Sequence, residues 1–124
     1  MNSRCQSGDI VLVEVPFSDL SGSKKRPALV LLTADEDYLV AFITSQVHQA
    51  GKADVTLSAT PANGLVVDSV ILVQKLFTLH ESLISRKLGV CEEDSHVAVV
   101  RELRARLERT LPKPTEVQTE APEA

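Results

Sequence analysis

The chain has 124 residues, 44% of them hydrophobic and 24% charged, with a formal net charge of -4. That length suits one domain able to bury roughly two thirds of its unfolded surface, so neither disulfides nor a structural metal is needed to hold it together. No apolar run approaches the ~20 residues of a membrane-spanning helix, MNSRCQSGD has no signal-peptide core, and Cys5 and Cys91 alone do not make a disulfide framework. The expectation is a reduced, cytoplasmic protein with no membrane partner. Trp is absent and aromatics amount to 3%, so Val, Leu, Ile and Ala must fill the core.

Residues 8–17, GDIVLVEVPF, are β-branched and aliphatic without a helical stripe, and read as a strand interrupted by Pro16. Residues 18–26, SDLSGSKKR, have the composition of a loop. PALVLLTA is a second buried strand with Pro27 at its first position, where a missing N–H is tolerated. After a turn at Asp35, Glu36 and Asp37, residues 38–45 (YLVAFITS) form a third strand. QVHQAGKA is a second loop, ADVTLSA a short strand with Val55 and Leu57 inward, and TPANG a turn. DSVILVQKLFTLH is a long strand expected to bend or bulge near Lys75, and ESLISRKLG is a short element ending at Gly89.

One helix is predicted within CEEDSHVAVVRELRARLERTL. Val97, Val100, Leu103, Leu107 and Leu111 recur at intervals of three and four, the spacing of one helical face. Asp94 or Ser95 supplies the N-cap, acids open the helix and arginines close it, Glu102 and Arg106 form an i,i+4 pair, and Pro112 ends it. Arg101, Arg104, Arg106 and Arg109 are spread around the helix, as on a solvated surface. The remainder is Pro- and Glu-rich, giving one domain over residues 1–111 and a disordered tail over 112–124. Short strands without alternating helices predict a mainly β (α+β) fold: a small, strongly curved antiparallel barrel with a C-terminal amphipathic helix.

Chemistry is sparse. Phosphate-loop, dinucleotide, nucleophile-elbow and zinc signatures are missing from the sequence, and His48, His80 and His96 lie far apart in it. Cys5 and Cys91 have no activating context, and Phe17 and Phe77 read as packing residues ahead of base-stacking platforms in a chain short of aromatics. Lys24, Lys25 and Arg26 stand out, three cations between a Gly/Ser-rich turn and a buried strand. They serve either as a charged edge that discourages aggregation or as an anion site, where an arginine fork can hold two phosphate oxygens. Lys75 either faces solvent or touches phosphate.

The segments GDIVLVEVPFSDLSGSKKRPALVL, FITSQ and GLVVDSVILVQKLFTL, then LG before a final helix, resemble the PemK/MazF toxin family from about Gly8 to Leu111. The resemblance implies an SH3-like barrel forming a homodimer. It implies a metal-independent endoribonuclease that needs no cofactor, cuts single-stranded RNA and is restrained by an antitoxin. It makes Arg26 and Thr44 the catalytic pair, with Lys24, Lys25, Ser45, Gln46 and Lys75 along the RNA. Ser21 and Gln74 stand where many members carry an acid, so the general base is left to Asp19 or His48. Two other readings keep the fold: a non-catalytic module binding RNA or protein, and a toxin acting on another target such as a topoisomerase.

Overall fold

The computed structural model of the chain describes residues 5–16 and 23–113. Phe17, Asp19, Ser21 and the tail from residue 114 lie outside the described residues. The elements are β1 (Asp9–Pro16), β2 (Ser23–Ala34), β3 (Asp37–Thr44), β4 (Val55–Leu57), β5 (Ser69–His80), β6 (Ile84–Val90) and α1 (Glu93–Glu108). Single 3-10 turns occupy Val47–Gln49 and Glu81–Leu83. The strands form one antiparallel sheet in the order β4-β5-β3-β2-β1-β6. This is the mainly β architecture with a C-terminal helix that the sequence predicts.

The apolar runs of β1 and β2 are explained by burial on both faces of the sheet. Ile10 and Leu29 enter one core cluster with Ile43, Ile71 and Val99, whereas Val11, Val13, Ala28 and Val30 enter a second with Tyr38 and Val40. Alternate residues of a strand point to opposite faces, so over residues 10–13 of β1 and 28–30 of β2 neither strand has a polar side to show. Both clusters are almost wholly aliphatic, as the shortage of aromatics requires.

Register shifts bend the sheet. They fall between Ile10 and Val11, Leu12 and Val13, Val30 and Leu32, and Ala41 and Ile43, and extra residues on one strand raise local twist and curl. The last is the largest. Ala41 faces Leu76 while Ile43 faces Ile71, so Leu72 through Lys75 stand opposite Phe42 alone. The bulge expected near Lys75 is therefore present. One of its backbone donors is met from outside the ladder: the Asp54 carboxylate accepts from the Val73 N–H at 2.9 Å and is itself held by the Gly51 N–H at 2.8 Å.

The ladder does not close between β4 and β6. The segment following β4 packs against β6 there: the Val90 N–H donates to the Ala62 carbonyl at 2.8 Å. A Cβ on Gly89 would stand 2.3 Å from that same carbonyl oxygen, and one on Gly64 (φ +74°) would stand 2.1 Å from the Leu88 carbonyl oxygen. Only residues without a Cβ permit this approach. Asn63, fully buried, organises the segment. Its Oδ1 accepts from the N–H groups of Thr60 and Leu65, and its Nδ2 donates to the Ser58 carbonyl and to the Glu92 carboxylate.

Three expectations are corrected. The cations at 24–26 belong to β2 rather than to a loop: Lys24, Lys25 and Arg26 face Val15, Glu14 and Val13. Pairing with a buried partner strand outweighs their weak strand preference. The helix begins at Glu93 with Glu92 as its N-cap, not Asp94 or Ser95, because Thr60 and Asn63 hold the Glu92 carboxylate. The helix also presents a different face. Val99 is fully buried and Leu103 packs beside it, whereas Val97, Val100, Leu107 and Leu111 are exposed. Two apolar stripes compete on this helix, and Cys91 just before it anchors the shorter one in the core. The Glu102–Arg106 pair is formed at 2.9 Å, and Arg106 also donates to the Gln74 side chain at the β5 bulge.

Candidate functional site

β2 and β3 are paired as far as Ala28 and Phe42. Arg26 and Thr44 lie two residues beyond on their respective strands, so the same register carried forward sets them across from each other. Pro27 intervenes on β2 with no N–H to extend the ladder. The opening beyond the last paired residues is where two solvent-open cavities meet.

The first, of about 370 Å³, is lined by Lys25, Arg26, Thr44 and Ser45 on one side and by Leu65, Val66 and Val67 on another. Arg86 of β6, which faces Leu12 in the ladder, adds a third cation. The second, of about 400 Å³, is lined by Arg26, Thr44, Ser45, Gln46, Lys75 and Phe77, with Val15, Phe42, Ile43 and Leu72 behind them. Arg26, Thr44 and Ser45 line both. Arg26 is exposed and Thr44 half-buried, so both are open to a solute. The Thr44 hydroxyl oxygen accepts from the Gln46 N–H at 3.1 Å. That bond fixes the oxygen and leaves its own hydrogen to donate elsewhere.

Lys25, Ser45, Gln46 and Lys75 thus join the proposed pair around one opening, and the β5 bulge turns Lys75 into the second cavity. Lys24 is exposed on β2 and lines neither cavity; His48 is exposed in the 3-10 turn and lines neither. Asp19 is outside the described residues. Among the described residues lining the two cavities there is no carboxylate and no imidazole. By register, Glu14 adjoins them: it faces Lys25 and lies two residues along β1 from Leu12, which lines the first cavity.

Sequence reasoning missed Arg86 and misread Phe77. The only signal for Arg86 was its place in the polar run Ser85, Arg86, Lys87 of ISRKLG, which is what any exposed strand shows. Phe77, expected to be a packing residue, is 50% exposed on the wall of the second cavity. Both cysteines are poor nucleophiles, as expected. Burial raises the Cys5 thiol, and burial with the neighbouring Glu92 carboxylate pushes Cys91 up to about 11. Among the described residues no group of three His, Cys, Asp or Glu side chains is gathered to hold a metal ion.

A curved antiparallel sheet left open between β4 and β6, a C-terminal helix and a solvent-open, cation-bearing opening at a strand end define a small, mainly β protein. The sequence matches the PemK-like, MazF-like toxin of type II toxin-antitoxin system over residues 6–107, and the chain belongs to that family. No curated protein sequence gives a significant match. Among solved structures, MazF from Deinococcus radiodurans superposes with a TM-score of 0.68 at 22% identity, covering 86% of this chain and 99% of that one. The Mycobacterium tuberculosis toxin MazF-mt6 gives a TM-score of 0.61 at 20% identity, covering 79% and 96%. An endoribonuclease in complex with its cognate antitoxin, from a mycobacterial species, gives a TM-score of 0.62 at 16% identity, covering 90% and 100%. At these identities the likeness is one of fold.

Proposed function

We propose that the protein is the toxin of a toxin–antitoxin pair and acts as an endoribonuclease on single-stranded RNA, with Arg26 and Thr44 as its catalytic residues. The observation that carries this reading is that these two side chains share the wall between two nucleotide-sized, solvent-open cavities ringed by Lys25, Arg86 and Lys75. The 2′-hydroxyl of the substrate attacks the adjacent phosphorus as a base takes its proton, the bond to the 5′-oxygen breaks, that oxygen takes a proton from water, and the products are a 2′,3′-cyclic phosphate and a 5′-hydroxyl. Negative charge builds on the non-bridging oxygens. The Arg26 fork takes two of them together, and a preorganised donor of this kind supplies about 3–4 kcal/mol, two to three powers of ten in rate. Thr44, held by the Gln46 N–H, donates to the same phosphate. Single strands suit the opening because their 2′-hydroxyl can reach in-line geometry and their bases can splay. Asp19, His48 and the ladder acid Glu14 are the groups proposed to accept the 2′-hydroxyl proton. A cytoplasmic location, a homodimer and a cognate antitoxin as partner belong to the same reading.

The test is incubation of purified protein with long RNA in EDTA, followed by mapping of the ends. Cyclic-phosphate termini that fall at least about 100-fold on Arg26→Ala support the assignment; equal cleavage by the variant refutes it. The absence of a carboxylate or imidazole among the described lining residues favours a second reading, a module that binds RNA without cutting it. Intact RNA retained on the protein would select that one.

A further inference from the structure

Phe77 is out of place for a core residue. In a chain with three Phe and no Trp, half of its surface is given to solvent. It is not loose: its ring centroid lies 5.0 Å from that of Phe42, with the planes tilted by 56°, a favourable arrangement for aromatic pairs. One ring therefore braces the other, and both line the second cavity. Lys75 and Gln46 stand on the same lining, one a cation and the other an amide with two donors and an acceptor. That cavity is continuous with the Arg26–Thr44 wall.

We infer that the Phe77 cavity is a nucleobase subsite, in which a base next to the scissile phosphate stacks on the Phe77 ring while Gln46 and Lys75 meet its polar edge or the next phosphate. The inference rests on the endoribonuclease reading and extends it by naming the residues that hold the base. Three features favour a base over an apolar side chain of a partner protein. The volume of about 400 Å³ accommodates a nucleotide, the rim carries hydrogen-bonding and cationic groups, and the cavity shares Arg26, Thr44 and Ser45 with the proposed phosphate site. A braced ring also loses little freedom when a base settles on it.

The experiment compares two non-cleavable ligands: a random-sequence 2′-O-methyl hexanucleotide and its abasic counterpart carrying only the sugar–phosphate chain. Phe77→Ala should weaken the first by about 5- to 100-fold, the worth of one base on an aromatic ring, and the second by less than about 2-fold on the same grounds. Arg26→Ala should weaken both alike. Because the protein contains no Trp, Phe77→Trp adds a single indole; its emission should be quenched by the hexanucleotide and unaffected by the abasic chain. Phe77→Leu and thermal melts check folding. Equal losses for both ligands, or no loss, overturn the subsite while leaving the nuclease reading intact, and would fit a ring used by a protein partner instead. No binding of either ligand by the wild-type protein, with no RNA cleavage, overturns both.

Discussion

Replacing Asn63 by Ala removes a fully buried side chain that satisfies four separate groups. Two are backbone donors, the N–H groups of Thr60 and Leu65; the others are the Ser58 carbonyl and the Glu92 carboxylate. A buried donor left without a partner costs about 1–3 kcal/mol, and each lost hydrogen bond to an acceptor that keeps other partners about 0.5–1.5 kcal/mol. Glu92 keeps the Thr60 hydroxyl at 2.9 Å, and water entering the vacated space recovers part of the rest. The expected loss is about 3–5 kcal/mol, within the range reserved for broken buried networks, and about 15–25 °C in melting temperature for a domain near 100 residues. Asn63→Asp sharpens the test. It keeps the acceptor oxygen but replaces the donor by a carboxylate facing Glu92, so its cost should exceed that of a simple donor loss at pH 8 and shrink at pH 5 as the pair shares a proton. Urea denaturation followed by circular dichroism at both pH values measures these quantities. A loss below about 1 kcal/mol for Asn63→Ala, the centre of the range for point mutations in general, would refute the claim that this residue organises the segment packed against β6.

Arg86→Ala should weaken binding of single-stranded RNA and reduce the slope of log affinity against log salt by about 0.7, the loss of one phosphate contact; an unchanged slope would remove Arg86 from the binding surface. Cys91, its thiol held up at about 11 by burial and by Glu92, should resist a disulfide reagent at pH 8 in the folded protein and react at an ordinary rate in urea. The Glu92 carboxyl is held below the usual range chiefly by its own backbone N–H, aided by Asn63 and Thr60 and opposed by partial desolvation. A carboxyl depressed in the folded state contributes stability that is fully present above its unfolded value and is lost as pH falls through the folded one. Stability should therefore decline below about pH 4.3, and Glu92→Gln should flatten that decline in denaturation curves taken from pH 6 to pH 2.

The strands were legible because their apolar residues are continuous, and a sheet buried on both faces leaves that mark. The bulge at Leu72–Lys75 was legible from a lysine set in an apolar strand. The roles proposed for Arg26 and Thr44 come from the family resemblance, not from spacing, since nothing local distinguishes a threonine that ends a strand from any other. Of the predicted helical stripe Leu103 does pack against the core, but Val97, Val100, Leu107 and Leu111 are exposed and Val99, outside that stripe, is the buried residue; with Leu103 it makes too short a run to outweigh the longer spacing pattern in the sequence. Glu92 as N-cap was invisible because the partners of its carboxylate, Asn63 and Thr60, lie 29 and 32 residues away; Asn63 as hub was invisible because TPANG reads as an ordinary turn and nothing local marks that side chain as buried. Arg86 and Phe77 become part of the opening only through sheet order and curvature, which no single strand encodes.

The surplus residues of β5 have a consequence for how this scaffold tolerates change. Leu72 through Lys75 stand opposite one residue of β3; Val73 among them is buried in the core, but Gln74 and Lys75 are exposed, so the strand resumes its pairing on either side whatever these two positions carry. Gln74 and Lys75 can thus be exchanged for other charges or for neutral groups with little disturbance of the aliphatic interior. The lining of the second cavity can vary through slack in the chain, while the frame that presents it stays the same.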